Sequence, residues 1–179
     1  ISHLKGNLKV GCIGPKILNP NGSLQKSCKR SFPTPLVSLP KVLGLSRLFP
    51  NSKWFGKYNL TYLNENKSHF VDAISGSFML FPKDVIRAVG PLDETFFMYG
   101  EDIDLSYKVL KAGYSNYYFG ETSVIHYKGE STLKDKEYAK RFYGAMEIFY
   151  RKSILKFDQK VLLYFVLHYN MVLLKINLP

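Results

Sequence analysis

Hydrophobic and polar positions divide the chain into short strand-like runs, a long polar stretch and a helical end. Leu8-Lys9-Val10-Gly11-Cys12-Ile13 reads as a short buried strand, and Asn19-Pro20-Asn21-Gly22 forces a turn toward Ser23-Leu24-Gln25, which predicts a hairpin. Residues 29–68 show no apolar period and are rich in Pro, Ser, Asn and Lys, which predicts a long surface loop or flap, mobile over 36–68. Lys29 and Arg30 at its start read as solvated side chains rather than phosphate contacts.

From Phe70 to Phe81 an apolar strand is interrupted by Ser75-Gly76-Ser77, and a glycine there marks a bulge or a close approach by ligand or backbone. Pro82 predicts a helix start, running to Val89 and stopped by Gly90-Pro91. A second helix is predicted over 100–111. Glu101, Asp102 and Asp104 lie in its first turn, Lys108 and Lys111 near its end, and Gly113 is its stop. Tyr114 to Phe119 reads as a strand, followed by Ser123-Val124-Ile125-His126. Tyr138, Phe142, Ala145, Met146 and Phe149 then form a helical stripe. The last apolar run, 161–174, is shorter than the roughly 20 residues of a membrane-spanning helix.

Composition narrows the class. At 179 residues with 46% hydrophobic and 22% charged positions, the chain can bury one core and is not a disordered tail. Cys12 and Cys28 form no disulfide framework and lack metal-ligand spacing, so a reducing compartment is expected. The net charge of +11 is uneven: residues 1–71 hold eleven Lys or Arg against Glu65 alone, whereas 72–104 carry seven acids against Lys83 and Arg87. A basic body points to anionic partners, and the acidic window inside it to acid–base or metal chemistry.

That window holds Phe96-Phe97-Met98-Tyr99-Gly100-Glu101-Asp102-Ile103-Asp104-Leu105, with His126 after it and Ser75-Gly76-Ser77-Phe78-Met79-Leu80 before it. With Gly14-Pro15-Lys16 and the following Ile17 to Gln25, these motifs resemble the C-terminal half of a family 2 inverting glycosyltransferase, similar to bacterial rhamnosyltransferase-like enzymes of polysaccharide biosynthesis. The resemblance covers about Leu8 to Lys156. It implies an α/β fold, the C-terminal portion of the GT-A type, with a small mixed sheet and flanking helices. Residues 1–156 would form the acceptor-side part and 157–179 an apolar helix in possible contact with a membrane.

The resemblance also implies roles. A sugar hydroxyl is a poor nucleophile, so a carboxylate must take its proton as it attacks the anomeric carbon; the family's base falls on Asp102, with Glu101 beside it. Ser75, Gly76, Ser77 and Tyr99 are implied at the substrate, although Phe97 and Tyr99 read first as core positions and Ser75-Gly76-Ser77 also fits a plain bulge. His126 is implied as a ligand of Mg2+ or Mn2+ or of the diphosphate, against the ordinary alternative of a structural histidine. Asp102-Ile103-Asp104 spells an Asp-x-Asp metal string, but alternate positions on a helix point apart; Asp104 is expected to serve the helix terminus or a basic neighbour.

The family's nucleotide-binding half, with most metal ligands, would precede Ile1, so residues 1–179 alone are expected to be inactive and to self-associate through exposed apolar surface. The expected partners are a nucleotide-sugar donor and a glycan or polyprenyl-linked acceptor, not nucleic acid, in the cytoplasm or peripherally on the inner face of the membrane. The alternative is a non-catalytic basic module for acidic glycan, nucleic acid or a membrane surface. It lacks the basic–aromatic interleaving of a stacking platform.

Overall fold

A computed structural model describes residues 9–127 and 136–153. The predicted apolar helix over 157–179, the run 161–174 and the side chains of Tyr138 and Phe142 lie outside the described residues.

The architecture is mixed α/β, with small sheets flanked by helices, as expected. Strand β1 (Val10–Leu18) is longer than its apolar core suggested, because Gly14-Pro15-Lys16 continues it. It runs parallel to β5 (Ser115–Ile125), the central strand, whose other edge takes β3 (His69–Val71) antiparallel. The two segments predicted around 114–126 are one strand, and the register slip between Pro15 and Lys16 absorbs the polar Gly120-Glu121-Thr122 interruption. On its free side β1 is closed by backbone bonds between Ile13 and Leu80 and by the Leu18–Leu24 bridge, so the predicted hairpin forms; Gly22 takes a φ of 78°.

A second small sheet pairs β2 (Lys29–Arg30) with β4 (Ala73–Ile74), antiparallel. The proline- and serine-rich stretch is not an irregular surface flap. It contains β2, helix α1 (Pro35–Val42), the short α2 (Leu45–Leu48) and a series of turns, and it buries Ser31, Pro33, Pro35, Tyr58 and Leu60. The local signals are legible in hindsight: Thr34 caps the backbone N–H of Val37 with its hydroxyl, and Pro35 occupies the first turn, where its missing N–H costs nothing. Lys29 and Arg30 are likewise not solvated. Lys29 is 1% exposed and donates to the carbonyl of Leu60 at 2.7 Å, and burial pushes its ammonium below the ordinary lysine range.

Helix α3 (Lys83–Val89) starts at Pro82 and ends at Gly90 with φ 80°. Helix α4 (Glu101–Lys111) follows two successive left-handed residues, Tyr99 at φ 69° and Gly100 at φ 84°, and ends before Gly113 at φ 82°. Its Ser106 hydroxyl accepts from the backbone N–H of Ile74, and Asn116 of β5 donates to the carbonyls of Ser106 and Asp72. These bonds lock α4 against β4. Helix α5 (Lys136–Ser153) lays Ala145, Met146, Phe149 and Tyr150 on Phe96 and Ile103 as a second apolar cluster. The first cluster, around Cys12, Ile17, Ile74, Val109 and Tyr118, lies between the sheets and α4.

A Cβ built on Gly14 would sit 2.2 Å from Ile74 Cγ2, where the two sheets meet. Gly14→Ala is therefore expected to lower folding stability by about 1–3 kcal/mol, the usual cost of overpacking a tight core, measured by chemical denaturation.

Candidate functional site

The C-terminal ends of parallel strands are where open α/β sheets place ligands, and here β1 and β5 end side by side. The backbone N–H of His126 donates to Leu18 O at 2.9 Å, and that of Gln25 to Ile17 O at 2.8 Å. Those bonds bring the two side chains together, Gln25 lying 3.3 Å from His126 Nδ1. On the same nitrogen, Ser77 Oγ approaches to 3.3 Å, and Ser77 Oγ in turn lies 3.1 Å from Ser75 Oγ.

The middle residue of that loop faces the other way. Gly76 N–H donates to Asp102 Oδ2 at 2.9 Å, and a Cβ on Gly76 would stand 3.2 Å from Asp102 Cβ. The glycine is thus needed for close approach, as the sequence suggested, and the group it approaches is the carboxylate. Ser75-Gly76-Ser77 therefore links Asp102 on one flank to His126 on the other. The structure brings together Ser75, Gly76, Ser77, Glu101, Asp102 and His126. Tyr99 stands apart from that line: its ring packs on the second apolar cluster at the turn that launches α4.

Sequence reasoning missed the strongest partner. Arg30 of β2 pairs through Nη2 with Asp102 Oδ2 at 2.5 Å and also reaches Ile74 O at 3.3 Å. Both residues are buried, each 9% exposed. A carboxylate moved out of water needs a counter-charge and hydrogen bonds, and here it has one of each. Both bonds fall on Oδ2, and Asp102 makes no side-chain hydrogen bond through Oδ1 among the described residues. Gln25 was read only as part of a turn motif; its burial, at 5% exposure, is what reveals it. No sequence signal pairs Arg30 with a residue 72 positions away.

Two buried polar atoms beside the pair, Arg30 Nε and Glu101 Oε2, have no hydrogen-bond partner among the described residues. Desolvation raises the Glu101 carboxyl above the ordinary glutamate range, and the neighbouring Asp102 charge adds to it. Buried polar atoms left without a partner call for one that the described residues do not supply. Asp104 points away: its Oδ2 forms an ion pair with Lys108 Nζ at 2.8 Å, four residues on, and it does not share an ion with Asp102. Phe97, read as core, is 81% exposed, with the Arg141 guanidinium over its ring at 5.4 Å.

No group of three His, Cys, Asp or Glu side chains among the described residues is placed to hold a metal ion. Asp102 faces a guanidinium and His126 Nδ1 lies against Gln25 and Ser77. The described residues therefore do not fit a Mg2+ or Mn2+ centre of their own, and His126 could add at most a single imidazole to one built elsewhere.

Comparison with known proteins identifies the family. Residues 52–178 match the profile of glycosyl transferase family group 2. The chain is 33% identical over 127 residues to N-acetylglucosaminyl-diphospho-decaprenol L-rhamnosyltransferase of Mycobacterium tuberculosis, in both strains CDC 1551 and H37Rv, covering 71% of this chain and 40% of the relative. It is 27% identical over 144 residues to protein y4gI of Sinorhizobium fredii, covering 80% of this chain and 15% of the relative. The chain thus spans well under half the length of the curated relatives it matches. Gln25 and Arg30 lie outside the matched family stretch, so the Arg30–Asp102 pair joins residues on either side of its boundary.

Because the folded state holds the Glu101 proton more tightly than the unfolded chain does, the contribution of Glu101 to stability falls as pH rises through the carboxylate range. Glu101→Gln should remove that slope. The variant is expected to be more stable than the parent at neutral pH and equal to it below the ordinary glutamate range, as read by thermal melts across pH.

Proposed function

The chain belongs to glycosyl transferase family group 2, and from that membership we propose that it carries the acceptor side of an inverting sugar transfer, with Asp102 as the base. The donor is a nucleotide-sugar. The acceptor is a hydroxyl of a glycan or of a polyprenyl-linked sugar, a class supported by the decaprenol-linked substrate in the name of the mycobacterial relative.

The chemistry follows from the carboxylate's two oxygens. Arg30 and Gly76 hold Oδ2, which fixes the plane of the group and supplies its counter-charge. Oδ1 is left to accept a hydrogen bond from the incoming hydroxyl. As the hydroxyl oxygen bonds to the anomeric carbon, the bond from that carbon to the diphosphate breaks. The proton passes to Oδ1, and the nucleoside diphosphate departs with the electron pair on the opposite face. Glu101 Oε2, buried and unpartnered, accepts a second sugar hydroxyl. Ser75, Ser77, Gln25 and His126 offer a run of hydrogen-bonding groups along the other flank.

The single observation that carries this reading is the convergence of both hydrogen bonds of Asp102 on one oxygen. Any divalent cation is held mainly by residues other than those described, and residues 1–179 alone turn over no nucleotide-sugar. On residues near a membrane, no helix among those described is long and apolar enough to cross one; a peripheral position beside a lipid-linked acceptor is the arrangement that fits.

Asp102→Asn in the complete protein is expected to lower kcat by about 10²–10⁴-fold, the share a positioned base contributes, with donor binding unchanged by calorimetry. Asp102→Glu, which keeps the charge, distinguishes lost chemistry from lost folding. Near-parental turnover by the asparagine variant would contradict the assignment.

A further inference from the structure

The segment predicted to be a polar flap presents an apolar, basic face instead. On α1 and its C-cap, Leu36, Leu39 and Leu43 recur at intervals of three and four and are all exposed, Leu36 at 77%. Leu48 and Phe49 continue the surface, at 71% and 52%, and Phe49 stacks on Phe55 with ring centroids 5.5 Å apart. Trp54 is 83% exposed. An exposed apolar patch of this kind marks a surface that meets something.

The charges around it narrow the partner. Lys41, Arg47, Lys53 and Lys57 are exposed within the same stretch, and the chain holds no Asp or Glu at all before Glu65. A second copy of the chain would bring these cations against their own images with no carboxylate of the segment to meet them. A nucleic acid would satisfy the cations but not the leucine stripe. Exposed leucines and aromatics interspersed with lysine and arginine, and no acid, is the chemistry of a segment lying in the headgroup region of an anionic bilayer.

The patch also joins the site. Lys41 Nζ stands 3.6 Å from the centroid of the Tyr58 ring, Tyr58 O accepts from Ser31 N–H, and the Tyr58 hydroxyl interacts with the Arg30 side chain that holds Asp102. We infer that residues 36–57 form a docking surface for an anionic phospholipid bilayer, placing the Arg30–Asp102 pair near the membrane plane. The inference extends the reading of a lipid-linked acceptor, but its test requires no sugar transfer.

Trp54 is the chain's single tryptophan, so its fluorescence reports this surface alone. In the full chain at low salt, Trp54 emission is expected at a water-exposed wavelength, shifting to the blue with vesicles containing phosphatidylglycerol but not with pure phosphatidylcholine. Arg47→Gln with Lys53→Gln should weaken vesicle affinity roughly 30-fold, from about 1 kcal/mol per basic side chain near an anionic surface. Three results would overturn the inference: no shift with anionic vesicles, a buried-type emission before vesicles are added, or a shift that follows protein concentration alone. Vesicle binding by this chain together with near-parental turnover by Asp102→Asn in the complete protein would sink the catalytic reading and leave this one standing.

Discussion

A buried opposite-charge pair, Arg30 with Asp102, is the constraint on which the arrangement of the site depends. Neither ion can leave water alone, and breaking such a pair by removing one member costs about 3–5 kcal/mol. The pair therefore ties β2 to the first turn of α4 across 72 positions of sequence, and Gly76, where a side chain would crowd Asp102, joins it through its backbone N–H. Around this point the rest falls into place. Ser106 and Asn116 lock α4 to the sheets, and the loop 75–77 spans from the carboxylate to His126 at the end of the parallel strands. The same charge pair holds the carboxylate proposed as the base in one fixed orientation.

Elements whose boundaries rest on local chemistry were legible in the sequence. Helix α3 is bracketed by Pro82 and Gly90, and α4 carries acids at its start and lysines at its end; both form within a residue of the expected bounds. The mixed α/β class and the grouping of Ser75, Gly76, Ser77, Asp102 and His126 also emerged, because the motifs keep their order. What was not legible depends on distant partners. Lysine and arginine are solvated on most surfaces, so nothing near Lys29 or Arg30 announced that a carbonyl of Leu60 and a carboxylate on α4 would draw them inside. The proline-rich stretch hid two helices, since α1 is too short for its period to stand out among prolines. Phe97 went astray in the opposite sense, because an aromatic beside a buried Phe96 reads as core.

The two halves of the functional account meet at Tyr58. One side of this residue lies under Lys41 of the basic, apolar face, and the other interacts with Arg30 behind the carboxylate. The lipid-linked acceptor proposed above would call for a polar site beside an apolar surface. The segment from Arg30 to Tyr58 supplies both within thirty residues, and it does so with no acid of its own to repel an anionic headgroup.

An experimental structure of the complete protein with an acceptor analogue bears most directly on the central claim. The acceptor hydroxyl should lie about 2.6–3.2 Å from Asp102 Oδ1, with the guanidinium of Arg30 still on Oδ2. An acceptor seated away from Oδ1, or Arg30 swung off to bind the ligand while Asp102 stands alone, would contradict it.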